Sequence, residues 1–283
     1  MSYAIIDLKK KKIFDKIESN MICDELIIKI PEFKENKQIK YAKAINKLLK
    51  KNKVSKVVLA DKLKKLDNFK NSLMQENNYI INGKKMYKVL INKLIKNIAD
   101  LTKYEKEKMN VVLLINEYNA DNIEIIKMIA DQVKSLTLIT NNAYRFEQIV
   151  EELLNNKGII VQLVNNGKFN LKRKHIIINI DFSNNDMNKI NFPNDIIIVT
   201  NGTTLLNIKN SFNGIIINDI DIYLDKKIEN FRTVELCEAY IYNNMKRIKE
   251  NELIFNRSTY EVNGYFGKNG KIEQEDFERL GRI

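Results

Sequence analysis

Residues 110–140 read NVVLLINEYNADNIEIIKMIADQVKSLTLIT, and this stretch decides the fold. Residues 110–115 are a continuous apolar run of strand length, 122–133 carry apolar side chains at helical spacing, and 136–140 are a second apolar run. A strand that is apolar at every position, and not at alternate ones, is covered on both faces, as in a parallel sheet. Parallel neighbours need a crossover, which the intervening helix supplies. The pattern recurs downstream. Further strands are predicted at 158–164, 175–180, 195–200 and 214–218, with a helix over 143–155 and only one or two helical turns in each of the crossovers 181–194 and 201–213. Strand and helix in alternation predict an α/β fold with a doubly wound, mostly parallel Rossmann-like sheet.

Working outward, the first third predicts a smaller basic α/β lobe. Strands are expected at 3–7, at 25–30 before Pro31, and at 56–60. The helical period of 37–51 places Ile39, Ala42, Ile45, Leu48 and Leu49 on one side and Lys40, Lys43, Lys47, Lys50 and Lys51 on the other. Asp61 reads as the N-cap of a helix with Leu63, Leu66, Phe69 and Leu73 as its stripe. After Asn82-Gly83 a long helix over 84–102 turns Met86, Leu90, Leu94, Ile98 and Leu101 one way. Past the sheet, a helix over 228–250 precedes a hairpin around Asn263-Gly264 and Asn269-Gly270, then a short acidic helix. The expected domains are 1–104, the Lys-rich lobe ending in a linking helix; 105–226, the Rossmann-like domain; and 227–283, a closing helix and turn-rich tail.

The chain has 283 residues and a formal charge of +12. The charge is unevenly held: residues 1–104 carry 25 Lys, no Arg and 11 acidic residues, net +14, whereas 105–283 are net −2. Such asymmetry points to two modules with different surfaces. A partner for the basic lobe would be an acidic protein or a nucleic acid at Lys40, Lys43, Lys47, Lys50 and Lys51; lysine supplies the salt-dependent phosphate term and little base specificity. Abundant Lys, Asn and Ile, with Pro only at 31 and 193 and no Trp, also fit an AT-rich coding bias. No apolar run approaches the roughly 18 residues of a membrane span, so no membrane association and a cytoplasmic location are expected.

Ligands of an open parallel sheet bind at the carboxyl ends of its strands. Those ends are Asn116 to Asp121, Asn141-Asn142, Asn165-Asn166-Gly167, Asp181, Asn201-Gly202, and Asp219 with Asp221. Their asparagines suit an uncharged polar ligand, or are simply turn residues. Asp219, Asp221 and Asp225 offer oxygens to a hard cation or are solvated strand-end charges, and no metal site is assigned. His175, the one histidine, starts a strand after three basic residues and reads as exposed or capping before it reads as a base. Cys23 and Cys237 show no CxxC spacing. GKNGK at 267–271 lacks the spacing of a phosphate loop.

The stretch from Val111 to Val164, with KHIIINIDFS and NDIIIVTNG after it, resembles the cofactor half of the shikimate dehydrogenase and glutamyl-tRNA reductase superfamily. The order of parts, amino-terminal lobe, linking helix, Rossmann lobe and closing helix, is similar too. The resemblance implies an NAD(P)-dependent oxidoreductase ancestry. It would place cofactor contacts at Asn116, Tyr118 and Asp121, where the family has a Gly-x-Gly-x-x-Gly/Ala turn. Asn141, Asn142 and nearby Arg145 would stand where it has Asn-Arg-Thr, with Asp181, Asn201 and Gly202 at later strand ends. This chain has no glycine in that turn, and Tyr118, Glu117 and Asp121 oppose a pyrophosphate by bulk and charge. Nothing in the first lobe reproduces the family's Lys-Asp site, and Cys23 is followed by Asp24-Glu25 in place of Asn-Arg, so no catalytic residues are named. The function expected is a Rossmann-like protein related to NAD(P)-dependent dehydrogenases, with a degenerate cofactor site and a binding or regulatory role. The alternative is a nucleic-acid-binding or scaffold protein using its basic lobe.

Overall fold

The computed structural model describes residues 3–10, 16–22, 25–165, 169–202, 211–224, 228–244 and 260–281. Cys23, Asn166, Gly167 and Asp225 lie outside them, as do parts of the crossover 201–213 and of the helix expected over 228–250. The chain forms two compact units, Met1–Met86 with Ile222–Arg257 and Tyr87–Asp221 with Ser258–Ile283. In chain order the elements begin with β1 (Tyr3–Lys9), β2 (Glu18–Ile22), β3 (Glu25–Pro31), α1 (Gln38–Lys51), β4 (Lys56–Leu59), α2 (Asp61–Lys64), α3 (Asp67–Met74), β5 (Tyr79–Ile80) and α4 (Lys84–Thr102). Then come β6 (Asn110–Leu114), α5 (Ala120–Ala130), β7 (Ser135–Thr140), α6 (Glu147–Lys157), β8 (Val161–Asn165), β9 (Ile176–Asn179), α7 (Asn184–Met187), β10 (Ile197–Val199) and β11 (Ile215–Ile217). The last are β12 (Asp219–Ile222), α8 (Thr233–Asn244), β13 (Val262–Gly267), β14 (Gly270–Ile272) and α9 (Gln274–Gly281).

The second unit is built on a six-stranded sheet of order β11-β10-β9-β6-β7-β8. Every pair in it is parallel. Counted from β6 as the first strand, the order is 3-2-1-4-5-6, the doubly wound Rossmann arrangement, with its reversal between β6 and β9. Val111 to Ile115 are all fully buried, so both faces of the first strand are covered. One face packs Val112, Leu114, Ile177 and Ile198 against Phe182 and Met187 of the following crossover. Gly214 enters β11 so close to Ile196 that a Cβ there would strike the backbone carbonyl oxygen.

The first unit holds a five-stranded sheet, β2-β3-β1-β4-β5, in which β1, β3, β4 and β5 are parallel and β2 runs antiparallel to β3. Its core joins Ile5, Ile6, Ile28 and Val58 to Ile45 and Leu49 of α1, Phe69 of α3, and Phe231, Leu236 and Ala239 from the later segment.

Four expectations need correction. The single helix expected from Asp61 is two, α2 and α3, because Leu66 between them is extended at φ −99° and ψ 90°. Asp61 is a helical residue with Ala60 as N-cap. Ile39 lies 51% exposed, outside the buried side of α1. Asn263-Gly264 is inside β13, and the hairpin turns only once, between Gly267 and Gly270, whose φ of +117° requires glycine.

Candidate functional site

Where β6 ends, the chain turns through Asn116 to Asn119 and enters α5. Asn119 is extended and its side-chain oxygen accepts the Asn122 N–H at 3.0 Å, an ordinary N-cap. The turn is held from across the sheet by Asp181, which follows β9. Its Oδ1 accepts the Asn116 N–H at 2.5 Å, and its Oδ2 accepts the Glu117 N–H and the Asn122 Nδ2, both at 3.0 Å. Burial pushes the Asp181 carboxyl above the usual carboxylate range. The two backbone donors and the Lys88 ammonium offset part of that.

Asn116 extends the network to β7, since its Oδ1 accepts the Asn141 N–H at 2.7 Å. Asn142 donates its N–H to Thr140 Oγ1 at 3.1 Å. The Asn141 side chain donates to Asp186, whose carboxyl is held down first by Ser183 Oγ, at 2.7 Å, and then by Lys189. Two acceptors remain buried without a hydrogen-bond partner, Asn122 Oδ1 and Asn141 Oδ1. The orientation of the Asn122 amide follows from its Nδ2, which meets two acceptors, Glu117 O at 2.7 Å and Asp181.

Tyr118 packs edge-on to the buried ring of Phe146, the residue before α6, at 5.4 Å and 81°, and is 37% exposed. Asp121, in the first turn of α5, is half-buried, and Glu117 is exposed. Arg145 is exposed and turned back on its neighbour, with Nε 3.0 Å from Tyr144 Oη. At the far strands, Thr200 Oγ1 lies 3.1 Å from Gly202 O and 3.2 Å from Asn218 Oδ1, and Gly202, at φ +90°, donates its N–H to Asn218 O. Asn201 beside it is half-buried. The Tyr87 hydroxyl of α4 reaches the carbonyls of Asn179 and Val199 at 3.1 and 3.3 Å.

The structure thus brings Asn116, Asn141 and Asp181 into one hydrogen-bonded network, with Tyr118, Asp121 and Asn142 on its border. Arg145 stays outside it, and Gly202 belongs to a second network two strands away, with Asn201 next to it in the chain. Thr140, Asn122, Asn179, Asp186 and Tyr87 were missed in the sequence. Asn122 had a findable signal, a polar residue on the inward side of an apolar helix. Among the described residues of this crest there is no histidine or cysteine. His175 is at the opposite end of β9, where its Nδ1 accepts the Asn110 N–H at 2.8 Å and its ring packs on Tyr104. Cys237, in the first unit, is buried and its thiol is pushed up to about 12. Asp221 accepts from Asn263 at 2.9 Å and Asp219 from the N–H of Ile220. In the first unit a buried carboxylate escaped notice: Glu235 pairs with Lys64 at 2.5 Å and Arg232 at 3.6 Å. Among the described residues no helix is long and apolar enough to cross a membrane.

No family model and no curated protein matches the chain. Solved structures do. A shikimate dehydrogenase solved with NADP+ is similar at 8% identity and a TM-score of 0.34, covering 77% of this chain and 84% of that one. The 5-ketofructose reductase of Gluconobacter sp. strain CHM43 is similar at 11% identity and a TM-score of 0.36, over 100% of this chain and 98% of that one. The ornithine carbamoyltransferase of Pyrococcus furiosus is similar at 8% identity and a TM-score of 0.32, over 76% and 78%. The fold assignment rests on the chain's own strand order.

Proposed function

We propose that the second unit is a Rossmann-type binding module related to NAD(P)-dependent dehydrogenases, with a cofactor site degenerate for dinucleotides. Its role is binding or regulatory, and its strand-end crest takes a small polar ligand that is uncharged or cationic. The observation that carries this reading is Asp181. Its carboxylate accepts the N–H groups of Asn116 and Glu117, so an anion already sits against the turn whose backbone donors a pyrophosphate would need. A second anion there would meet the Asp181 charge with Glu117 and Asp121 beside it, and the Tyr118 side chain stands where a close backbone approach requires glycine. The residues present do not fit NAD(P), and no hydride transfer is assigned to them. The orphaned acceptors Asn122 Oδ1 and Asn141 Oδ1 agree with a ligand rich in donors.

The test is thermal unfolding with NAD, NADH, NADP and NADPH, each at millimolar concentration. No rise in Tm is expected. A ligand at a hundred times its Kd stabilises by about 2.7 kcal/mol, so a clear rise with any of the four overturns the reading.

A second reading concerns the first unit. Lys40, Lys43, Lys47, Lys50 and Lys51 are all exposed on α1, and none is ion-paired among the described residues. They would form a docking face for nucleic acid or an acidic protein. In that case generic RNA binds at low salt and loses most of its affinity by moderate salt. Absence of RNA binding at low salt rejects the nucleic-acid form of this reading.

A further inference from the structure

A cleft of about 420 Å³ opens in the second unit between the last turns of α4, the β13–β14 hairpin and α9. Asn97 stands about 15 Å along α4 from Tyr87, so this cleft is separate from the strand-end crest. We propose that it binds a small organic molecule with an uncharged hydrogen-bond acceptor, such as an amide carbonyl, on an apolar body.

Three observations carry the assignment. Leu101, Val262, Ile272 and Phe277 supply apolar wall, and the volume falls within the range of small-molecule sites. At the floor, Tyr265 is 96% buried, being 4% exposed, and its hydroxyl has no hydrogen-bond partner of good geometry among the described residues. Its ring is held against Phe277, with centroids 5.7 Å apart. Burial pushes the phenol up to about 12, an effect the neighbouring Asn97 amide offsets in part, so the group stays protonated and is a donor lacking an acceptor. At the mouth, Lys271 pairs with Glu273 at 3.4 Å, and Asp100 adds a second carboxylate. One cation against two anions disfavours a carboxylate or phosphate ligand. The hydroxyl is sealed from water, so the incoming carbonyl reaches it as the half-buried Asn97 side chain turns aside.

Tyr265→Phe tests this in the full chain without changing the packing volume. Because the phenol O–H donates to no acceptor in the free protein, the Tm is expected to stay level or rise slightly. A fall beyond about 3 °C, the mark of a lost hydrogen bond in a chain of this size, overturns the proposal. Ligand-observed NMR titration then uses benzamide as the neutral acceptor and benzoate as its anionic counterpart. Saturable benzamide binding is expected, weakened at least about fivefold by Tyr265→Phe, with benzoate at least about tenfold weaker than benzamide. No saturable benzamide binding up to about 10 mM, equal binding by the variant, or equal binding of benzoate overturns it.

Discussion

Asp181 and His175 show how single side chains set this structure, one at each end of β9. Asp181 accepts three N–H bonds, so replacing it by Asn turns an amide NH2 toward donors that need an acceptor. Asp181→Asn is expected to lose about 1–3 kcal/mol of unfolding free energy, read as a lower urea midpoint at unchanged slope. For His175, burial and the charges of Lys134 and Lys174 hold the imidazole below its usual 6.5. The unfolded chain therefore takes up that proton more readily than the folded one. The resulting stability is complete above pH 6.5 and is lost as the pH falls through the window between the two values. As the protein's one histidine, His175 gives a single imidazole NMR signal, whose midpoint should lie below 6.5.

Among the elements, α4 depends on a carboxylate supplied from elsewhere in the sequence. Glu238 of α8 accepts the N–H groups of Lys85 and Met86 at 2.9 and 3.2 Å, in the first turn of the helix. Glu238→Ala should cost about 1–2 kcal/mol, while Glu238→Gln, which keeps an acceptor, should cost less than half of that; urea unfolding of the two variants decides. No local pattern announces such a cap, because donor and acceptor are about 150 residues apart. What the sequence did disclose follows the same division. The inner strands β6, β9 and β10 of the second sheet are legible because burial on both faces leaves a nearly uninterrupted apolar run, whereas β8 at the edge carries an exposed Gln162 within its run. β2 is not, since all five of its residues are exposed at the sheet edge and no apolar run or alternation marks it. β5, two residues long, is too short to carry a pattern. Residues 61–74 keep helical spacing through Leu66, so only the backbone conformation there reveals the break. At the site, strand ends are legible and so are Asn116, Asn141 and Asp181. Their mutual bonding is not, because it is made between crossovers that only the sheet order brings together.

Across the whole molecule, the basic charge and the discontinuous first unit have separate consequences. Changing Lys40, Lys43 and Lys47 together to Gln removes three exposed charges from a surface with few packing contacts. The Tm should therefore move by less than about 2 °C, whereas a core change such as Phe69→Ala should cost about 3–5 kcal/mol. Core residues Phe231, Leu236 and Ala239 of the first unit come from a segment that follows 135 residues of the second. α8 ends at Asn244, 158 residues beyond Met86, so during synthesis at about 5–20 residues per second the sheet of the first unit waits roughly 8–32 s for the helix that covers part of its core. A nascent chain stalled near residue 221 would thus present Ile5, Val58 and their neighbours on the Tyr3 and Lys56 face as a chaperone substrate, and release of α8 from the ribosome is the event that ends that exposure.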